Sequence, residues 1–339
     1  MRIAVLGTGA NGASVGADLT RAGLDVTFIE QWPSHVETMR ANGVRIITPE
    51  SDETTQVNVI HLCEVATLRQ PFDVVFVLMK AYDTRWACEL IKPLVAGHGQ
   101  VVGLQNGMTV DTMADVVGPD RAIGAVIEIS SNMFEPGIVN RQSARSRSWF
   151  AVGGLNAAAQ SRAPEVASLL AHAGTVEVSD DIRSSKWMKL VVNAAELVPS
   201  AILGLPLADA VAVPGMRRFM TEAGKEAVRT ALATGNTLRP IFGMGDAKLS
   251  DPDSYAEQLF DAVLGHFTLP DTKTTVLQDW LKGRRGEVHE INGLVVEEQA
   301  RLGGSAPANA ITVELAHQIE AGTLPAQVSN AEAMIAALG

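Results

Sequence analysis

Cysteine is scarce in this sequence. Of 339 residues only Cys63 and Cys88 are cysteines. Their number and spacing exclude a disulfide framework and form no zinc-ligand pattern. Two reduced, partly buried thiols in a cytoplasmic protein are expected. Positive charge is also short: 27 Lys and Arg stand against 38 Asp and Glu, a net charge of −11. Nucleic acid needs a basic surface, so it is excluded as a partner. No run of about 20 apolar residues occurs, which argues against a membrane span. The first apolar stretch, RIAVLGTG, is too short for the hydrophobic part of a signal peptide and runs into glycines. No internal repeat or low-complexity tract is evident. What is present is 47% hydrophobic and 19% charged residues, enough for a large core in a soluble chain. The length exceeds one ordinary domain, so two are expected.

The first 30 residues read as strand, glycine turn, helix, strand. Ile3, Ala4, Val5 and Leu6 form a short apolar strand, and Gly7-Thr8-Gly9-Ala10-Asn11-Gly12 follows it as G-x-G-x-x-G. A helix carrying Ala13, Val15, Ala17 and Leu19 comes next, ended by Gly23, and then the strand DVTFIE. Each glycine has a task in a dinucleotide site. The first makes the tight turn, the second admits the pyrophosphate, and the third lets helix and strand pack closely. The pyrophosphate would sit on the helix N-terminus, where free N–H groups and the dipole favour an anion. Such a motif alone is weak; strand, helix and an acid about 20 residues on strengthen it. That acid is Glu30, placed to accept from ribose hydroxyls and to repel a 2′-phosphate. Gln31 and Trp32 offer no cation for that phosphate, and Arg40 lies ten residues on. NAD is therefore favoured over NADP.

Further apolar strands are predicted at 72–80, 100–108 and 121–130. The first ends in Lys80 and the second in Gln105-Asn106-Gly107. Ligands of doubly wound sheets bind outside the carboxyl ends of the strands, which makes Lys80 and Asn106 candidates. Asn-Gly is equally a plain turn dipeptide. From about residue 180 strand signals largely vanish. Helices are predicted at 184–203, 214–235, 254–266, 284–301 and 309–320, with a Gly-, Pro- and Asp-rich loop at 238–254. Ser184 or Ser185 is the expected cap of the first helix. The expected organisation is a dinucleotide-binding domain over 1–180 and a helical substrate and dimerisation domain over 181–339. The fold class is α/β: a Rossmann-like doubly wound sheet followed by an all-helical domain.

The stretch SSKWMKLVVNAAE is apolar around nearly its whole circumference, the mark of a core helix. Yet Lys189 and Asn193 lie four apart on one face, continued by Glu196 and Ser200. An unpartnered buried ammonium is costly. The stripe makes sense if it looks into a polar ligand site. The segment 274–300 carries Thr275, Gln278, Asp279, Glu287, Glu290 and Asn292, although most of these could be a solvated helix face. His289 reads as a surface residue, and no metal-ligand set surrounds it.

Together these motifs carry a resemblance. The glycine turn, LMKAYDT with Lys80, LQNGM with Asn106, SSKWMKLVVN with Lys189 and Asn193, and TTVLQDWLKGRRGEVHEINGLVV with Thr275 and Glu287 resemble ketopantoate reductases (2-dehydropantoate 2-reductases). The resemblance covers most of the chain and is thinnest over 204–270. It implies an NAD(P)-dependent oxidoreductase and a homodimer. It implies that Lys189 protonates the ketone oxygen during hydride delivery and that Asn106 and Asn193 hold substrate or nicotinamide. Thr275, at a family serine position, would contact the substrate carboxylate. Glu287 would touch lysine, substrate hydroxyl and nicotinamide ribose. Two departures stand out: Leu197 occupies the place of a second family asparagine, and Glu30 does not suit a strict NADP enzyme. Ketopantoate reduction is the first reading. The alternatives are an NAD-dependent D-2-hydroxyacid dehydrogenase acting on another 2-oxo or 2-hydroxy acid and, from another class, a non-catalytic dinucleotide sensor.

Overall fold

The computed structural model describes residues 1–245 and 249–339. The chain divides into two compact units, Met1–Arg183 and Ser184–Gly339.

The first unit runs β1 (Arg2–Leu6), α1 (Ala10–Arg21), β2 (Asp25–Glu30), α2 (Pro33–Asn42), β3 (Val44–Ile47), β4 (Asp52–Thr55), β5 (Asn58–His61), β6 (Phe72–Val77), α3 (Thr84–Ile91), β7 (Val95–Leu104), α4 (Val110–Val117), β8 (Ala122–Glu128), β9 (Ser131–Glu135), β10 (Ile138–Arg141), β11 (Trp149–Gly154), α5 (Ala157–Gln160), α6 (Ala163–Leu170) and β12 (Thr175–Val178). The main sheet has the order β12-β11-β8-β7-β6-β1-β2-β5. From β5 to β8 neighbouring strands are parallel, in the order of a doubly wound nucleotide fold. β11 lies antiparallel to β8, and β12 parallel to β11. The unbroken apolar runs follow from burial on both faces. In β1, Ile3 and Val5 enter one core while Ala4 and Leu6 enter the other.

A second sheet, β4-β3-β10-β9, was not legible in sequence. Its strands are four or five residues long, and Asp52-Glu53-Thr54-Thr55 shows no apolar alternation. Arg141 on β10 is buried and donates to Asp18 of α1 at 2.5 Å and to Ser148 Oγ at 2.8 Å. That pins the helix behind the glycine turn to the second sheet. The predicted strands also end early: 72–80 stops at Val77, and 100–108 is the tail of a longer strand stopping at Leu104.

The second unit is helical among the described residues: α7 (Ile182–Ile202), whose first two residues belong to the first unit, α8 (Leu207–Ala212), α9 (Met216–Ala233), α10 (Pro252–His266), α11 (Thr275–Leu281), α12 (Leu294–Arg301), α13 (Pro307–Glu320) and α14 (Ala331–Ala336). Several expectations are corrected. α7 starts before the predicted serine caps. Ser184 instead accepts a hydrogen bond from the Thr237 backbone N–H at 3.0 Å. The 214–235 helix begins only at Met216, after Gly215 at φ +85°. α10 is capped by Asp251, whose side chain takes the Asp253 N–H at 3.2 Å, with Pro252 in the first turn. Residues 246–248 of the predicted 238–254 loop lie outside the described residues. The single helix expected over 284–301 is a turn, then a π-helical stretch at His289–Gly293, then α12.

Candidate functional site

Chemistry-bearing residues gather in two places, one in each unit. The first is the carboxyl end of the main sheet. Gly7 leaves β1 at φ +91°, and a Cβ there would lie 2.9 Å from the backbone of Leu78 and Met79. A Cβ on Gly12 would stand 2.0 Å from the Gly7 carbonyl oxygen. Gly16 makes a further close helix-to-strand approach: a Cβ there would meet the Phe28 ring of β2 at 2.5 Å. Gly9 differs from all three: a Cβ there meets nothing within 4 Å. Gly9 is the N-cap of α1, with no side-chain cap, and the helix has no acid in its first turn. The N–H groups of Ala10, Asn11 and Gly12 thus open an anion-favouring helix end. The Asn11 side chain is tied sideways, accepting from Ser131 Oγ at 2.5 Å.

Thr8 is held from both sides. Its N–H and Oγ1 donate to Glu30 Oε2 at 2.8 and 3.0 Å. Its carbonyl accepts from His35 Nε2 at 2.9 Å. The Gly137 N–H donates to His35 Nδ1 at 2.8 Å, which places the imidazole proton on Nε2. Burial holds the His35 pKa below its ordinary value against the opposing pull of Glu30. Glu30 Oε1 takes the Gln31 and Trp32 N–H groups, both at 2.9 Å. Two bonds at each oxygen fill a carboxylate's acceptor sites, so a ribose hydroxyl would have to replace one of them. Glu30 fastens the turn and fixes a negative charge beside it.

Lys80 and Asn106 follow β6 and β7, which are parallel neighbours. Gln105, not singled out in the sequence, joins the two strand ends: its Nε2 donates to the Met79 carbonyl at 2.8 Å and to Thr84 Oγ1 at 3.0 Å. The signal was there, a polar residue closing an apolar strand. Gly107 takes φ +71°, so the Asn-Gly turn is real and leaves Asn106 half-buried at its corner.

The second place is α7. Lys189, Asn193 and Leu197 repeat every four residues and are buried, with exposures of 8%, 1% and 6%. Lys189 Nζ stands 5.3 Å from the centre of the Phe242 ring. The helix buries a second lysine as well. Lys186, one turn before Lys189, is 3% exposed. Desolvation pushes its pKa down to about 8, opposed by the charge of Glu287. Only the i, i+3 pairing in SSKWMK hinted at it.

The 274–292 segment meets α7 at three levels. Thr274 Oγ1 donates to the Leu197 carbonyl at 3.0 Å and lies 3.0 Å from Ser200 Oγ. Asn292 Nδ2 donates to the Ala194 carbonyl at 3.0 Å and to Asn309 Oδ1 at 2.9 Å. Buried Glu287 faces Lys186 electrostatically. Thr275 opens α11 beside these contacts, and its Oγ1 is buried without a hydrogen-bond partner among the described residues. Such an orphan asks for an explanation. An ammonium, an amide, a carboxylate and an unsatisfied hydroxyl are thus collected on one unit, a set able to hold a small polar anion and pass it a proton. His289 is exposed and 3.5 Å from Glu297. Among the described residues no cluster of three His, Cys, Asp or Glu is placed to hold a metal, and no helix is long and apolar enough to cross a membrane. Cys63 is exposed and Cys88 buried.

Both units have known relatives. Residues 3–153 match the family described as ketopantoate reductase PanE/ApbA, and residues 181–320 match its C-terminal domain. A 2-dehydropantoate 2-reductase of Mesorhizobium japonicum is 28% identical over 327 residues, 89% of this chain and 92% of that protein. The crystal structure of a PanE/ApbA family ketopantoate reductase from Ralstonia eutropha JMP134 is 29% identical, with TM-score 0.79 over 95% of this chain and 99% of that one. D-mandelate dehydrogenase, in a ternary structure with NADH and anilino(oxo)acetate, shares the fold at TM-score 0.82 and 20% identity, again over 95% and 99% of the two chains. The chain is an oxidoreductase of the ketopantoate reductase PanE/ApbA family.

Proposed function

We propose that this protein reduces a 2-oxo acid, 2-dehydropantoate to pantoate, with NADH, and that it works as a homodimer. The first unit is the dinucleotide-binding domain in this reading and the second the substrate domain. The observation that carries it is the buried Lys189–Asn193 stripe with the unsatisfied Thr275 hydroxyl and Glu287 on the segment packed against it. The residues of the glycine turn suit the cofactor. Gly9 leaves open space where a Cβ would project, and the uncapped α1 terminus suits a pyrophosphate. Lys80 and Asn106 lie where a doubly wound sheet binds its ligand. The fixed charge of Glu30 supports NAD over NADP, because a 2′-phosphate beside it would be repelled.

A nicotinamide held by the glycine turn would supply a hydride to the substrate. As C2 of the oxo acid accepts that electron pair, the carbonyl π pair moves onto oxygen. Lys189 Nζ gives the oxygen a proton and regains one from solvent. A positioned acid of this kind stabilises the developing alkoxide. Asn193 and Thr275 hold the substrate, with Thr275 Oγ1 donating to its carboxylate. Glu287 orients the lysine and the substrate hydroxyl.

The test crosses NADH and NADPH with a panel of 2-oxo acids that includes ketopantoate, read at the nicotinamide absorbance band. NADH with ketopantoate should give the fastest turnover. A preference for NADPH would refute the role given to Glu30. Cofactor binding without turnover on every acid would point to a sensor. A second reading, oxidation and reduction of a bulkier apolar 2-hydroxy acid, is favoured by buried Leu197 and by the Phe242 ring beside Lys189. It predicts that an aryl 2-oxo acid outruns ketopantoate in the same panel.

A further inference from the structure

Phe242 has an unusual backbone. Among the described residues it alone, apart from glycines, has positive φ, at 60°. For a bulky side chain this is a genuine outlier. Such strain persists where the surroundings over-determine it, and it clusters at functional sites. Two ring contacts are described. The Phe267 ring lies 5.3 Å away, tilted by 53°. Lys189 Nζ lies 5.3 Å from the Phe242 centroid, inside the range at which a ring face attracts a cation. Both rings border a cavity of about 540 Å³ shared with Met244, Gln258 and Ala262. The turn Phe242-Gly243-Met244-Gly245 carries a Met244 N–H to Ile241 carbonyl bond at 3.1 Å.

We propose that Phe242 is a positioning residue for Lys189: its ring face holds the ammonium in the apolar interior and aims it at the ketone oxygen. The inference rests on the reading of Lys189 as the acid. Its physical logic answers the cost of the buried charge. Water is removed from the ammonium by the apolar helix, and the negative face of the ring replaces part of that solvation without offering a competing proton acceptor. Other charged groups stand on the elements around it. Lys186 is one turn back on α7 and attracts Glu287. Asp261 and His266 line the cavity beside Phe242, and Asp261 is paired with Arg217. The pull of a ring can be reduced without altering any titratable group.

The experiment replaces Phe242 in the full-length enzyme with phenylalanines carrying increasing numbers of fluorines, which keep the shape and weaken the negative face. Phe242→Leu and Phe242→Trp accompany them, with Lys189→Met as baseline. The kcat/KM–pH profile for the oxo acid is read for each. Loss of the ring face should move the basic limb to lower pH, by about half a unit to one and a half units for Phe242→Leu. The fluorinated series should fall in between in order, and Phe242→Trp should restore the wild-type limb. The KM for NADH should stay unchanged throughout. A limb that ignores fluorination while Lys189→Met is inactive overturns this inference and leaves the lysine mechanism standing. An active Lys189→Met enzyme overturns both.

Discussion

The glycine turn after β1 and the polar stripe on α7 solve opposite problems. The turn presents backbone. Its identity is dictated by space: a Cβ is forbidden at Gly7 and Gly12 and unopposed at Gly9, and the single carboxylate nearby is used up fastening Thr8. The stripe presents side chains. Its identity is dictated by burial, since each buried charge on α7 must be answered by something brought in from another helix or loop. One site is therefore sensitive to a methyl group, the other to a charge.

The largest test of that contrast removes a charge and keeps the volume. Lys189→Met preserves the apolar helix and should lower kcat by about 10²–10⁴-fold, the typical worth of a general acid. NADH binding should be nearly unchanged, because the interaction strengthens mainly in the transition state. If the lysine merely snorkelled to the surface, the rate would stay within a few-fold of wild type.

The complementary test adds a methyl group and keeps the charge. Gly9→Ala should leave the melting temperature near wild type yet raise the KM for NADH about tenfold, roughly 1.4 kcal/mol, since the added Cβ occupies space meant for the pyrophosphate. Gly12→Ala should lower the melting temperature as well as weaken NADH binding. With its Cβ 2.0 Å from the Gly7 carbonyl oxygen, the turn must move, at about 1–3 kcal/mol of stability. Paired stability and affinity measurements separate the two. Equal effects from both substitutions would mean that Gly9 faces protein and not ligand.

These contrasts also explain what could be read in advance. Strands buried on both faces announce themselves as unbroken apolar runs, so β1, β6, β7 and β8 were legible, as was the turn whose glycines have no substitute. The strands β3 and β4 were not, because four polar or mixed residues gain their strand character only from partners elsewhere in the chain. The π-helical stretch at His289–Gly293 hid because it departs by one residue from an ordinary helical pattern, and Gly286 lies inside the helix expected over 284–301. Glu30 was found, but its bonds to Thr8 span 22 residues and no local pattern reveals them. Lys186 was passed over because a lysine's burial depends on which helices surround it, and that is a property of packing.

Lys186 offers the finest test of the claim that burial governs α7. Its folded pKa is about 8, against an ordinary 10.5. Between those values the unfolded chain holds a proton that the folded chain has released, so stability must rise with pH, at most about 1.4 kcal/mol per unit. Below pH 8 both states are protonated and the slope vanishes. Above about pH 9 two groups work the other way: burial pushes the Cys88 thiol up to about 11 from 9.0 and raises the Tyr255 phenol as well, so the unfolded state ionises first and is favoured. The usable window is therefore pH 8 to 9. Over it, denaturant titration of the wild-type protein should show a gain of about 1 kcal/mol from Lys186. Lys186→Met should lack that gain while keeping the Cys88 and Tyr255 behaviour at higher pH. A wild-type stability that is flat or falling from pH 8 to 9, and matched by Lys186→Met, would mean that Lys186 stays charged in the fold. The attraction of Glu287 would then outweigh desolvation, and α7 would be governed by ion pairing in place of burial.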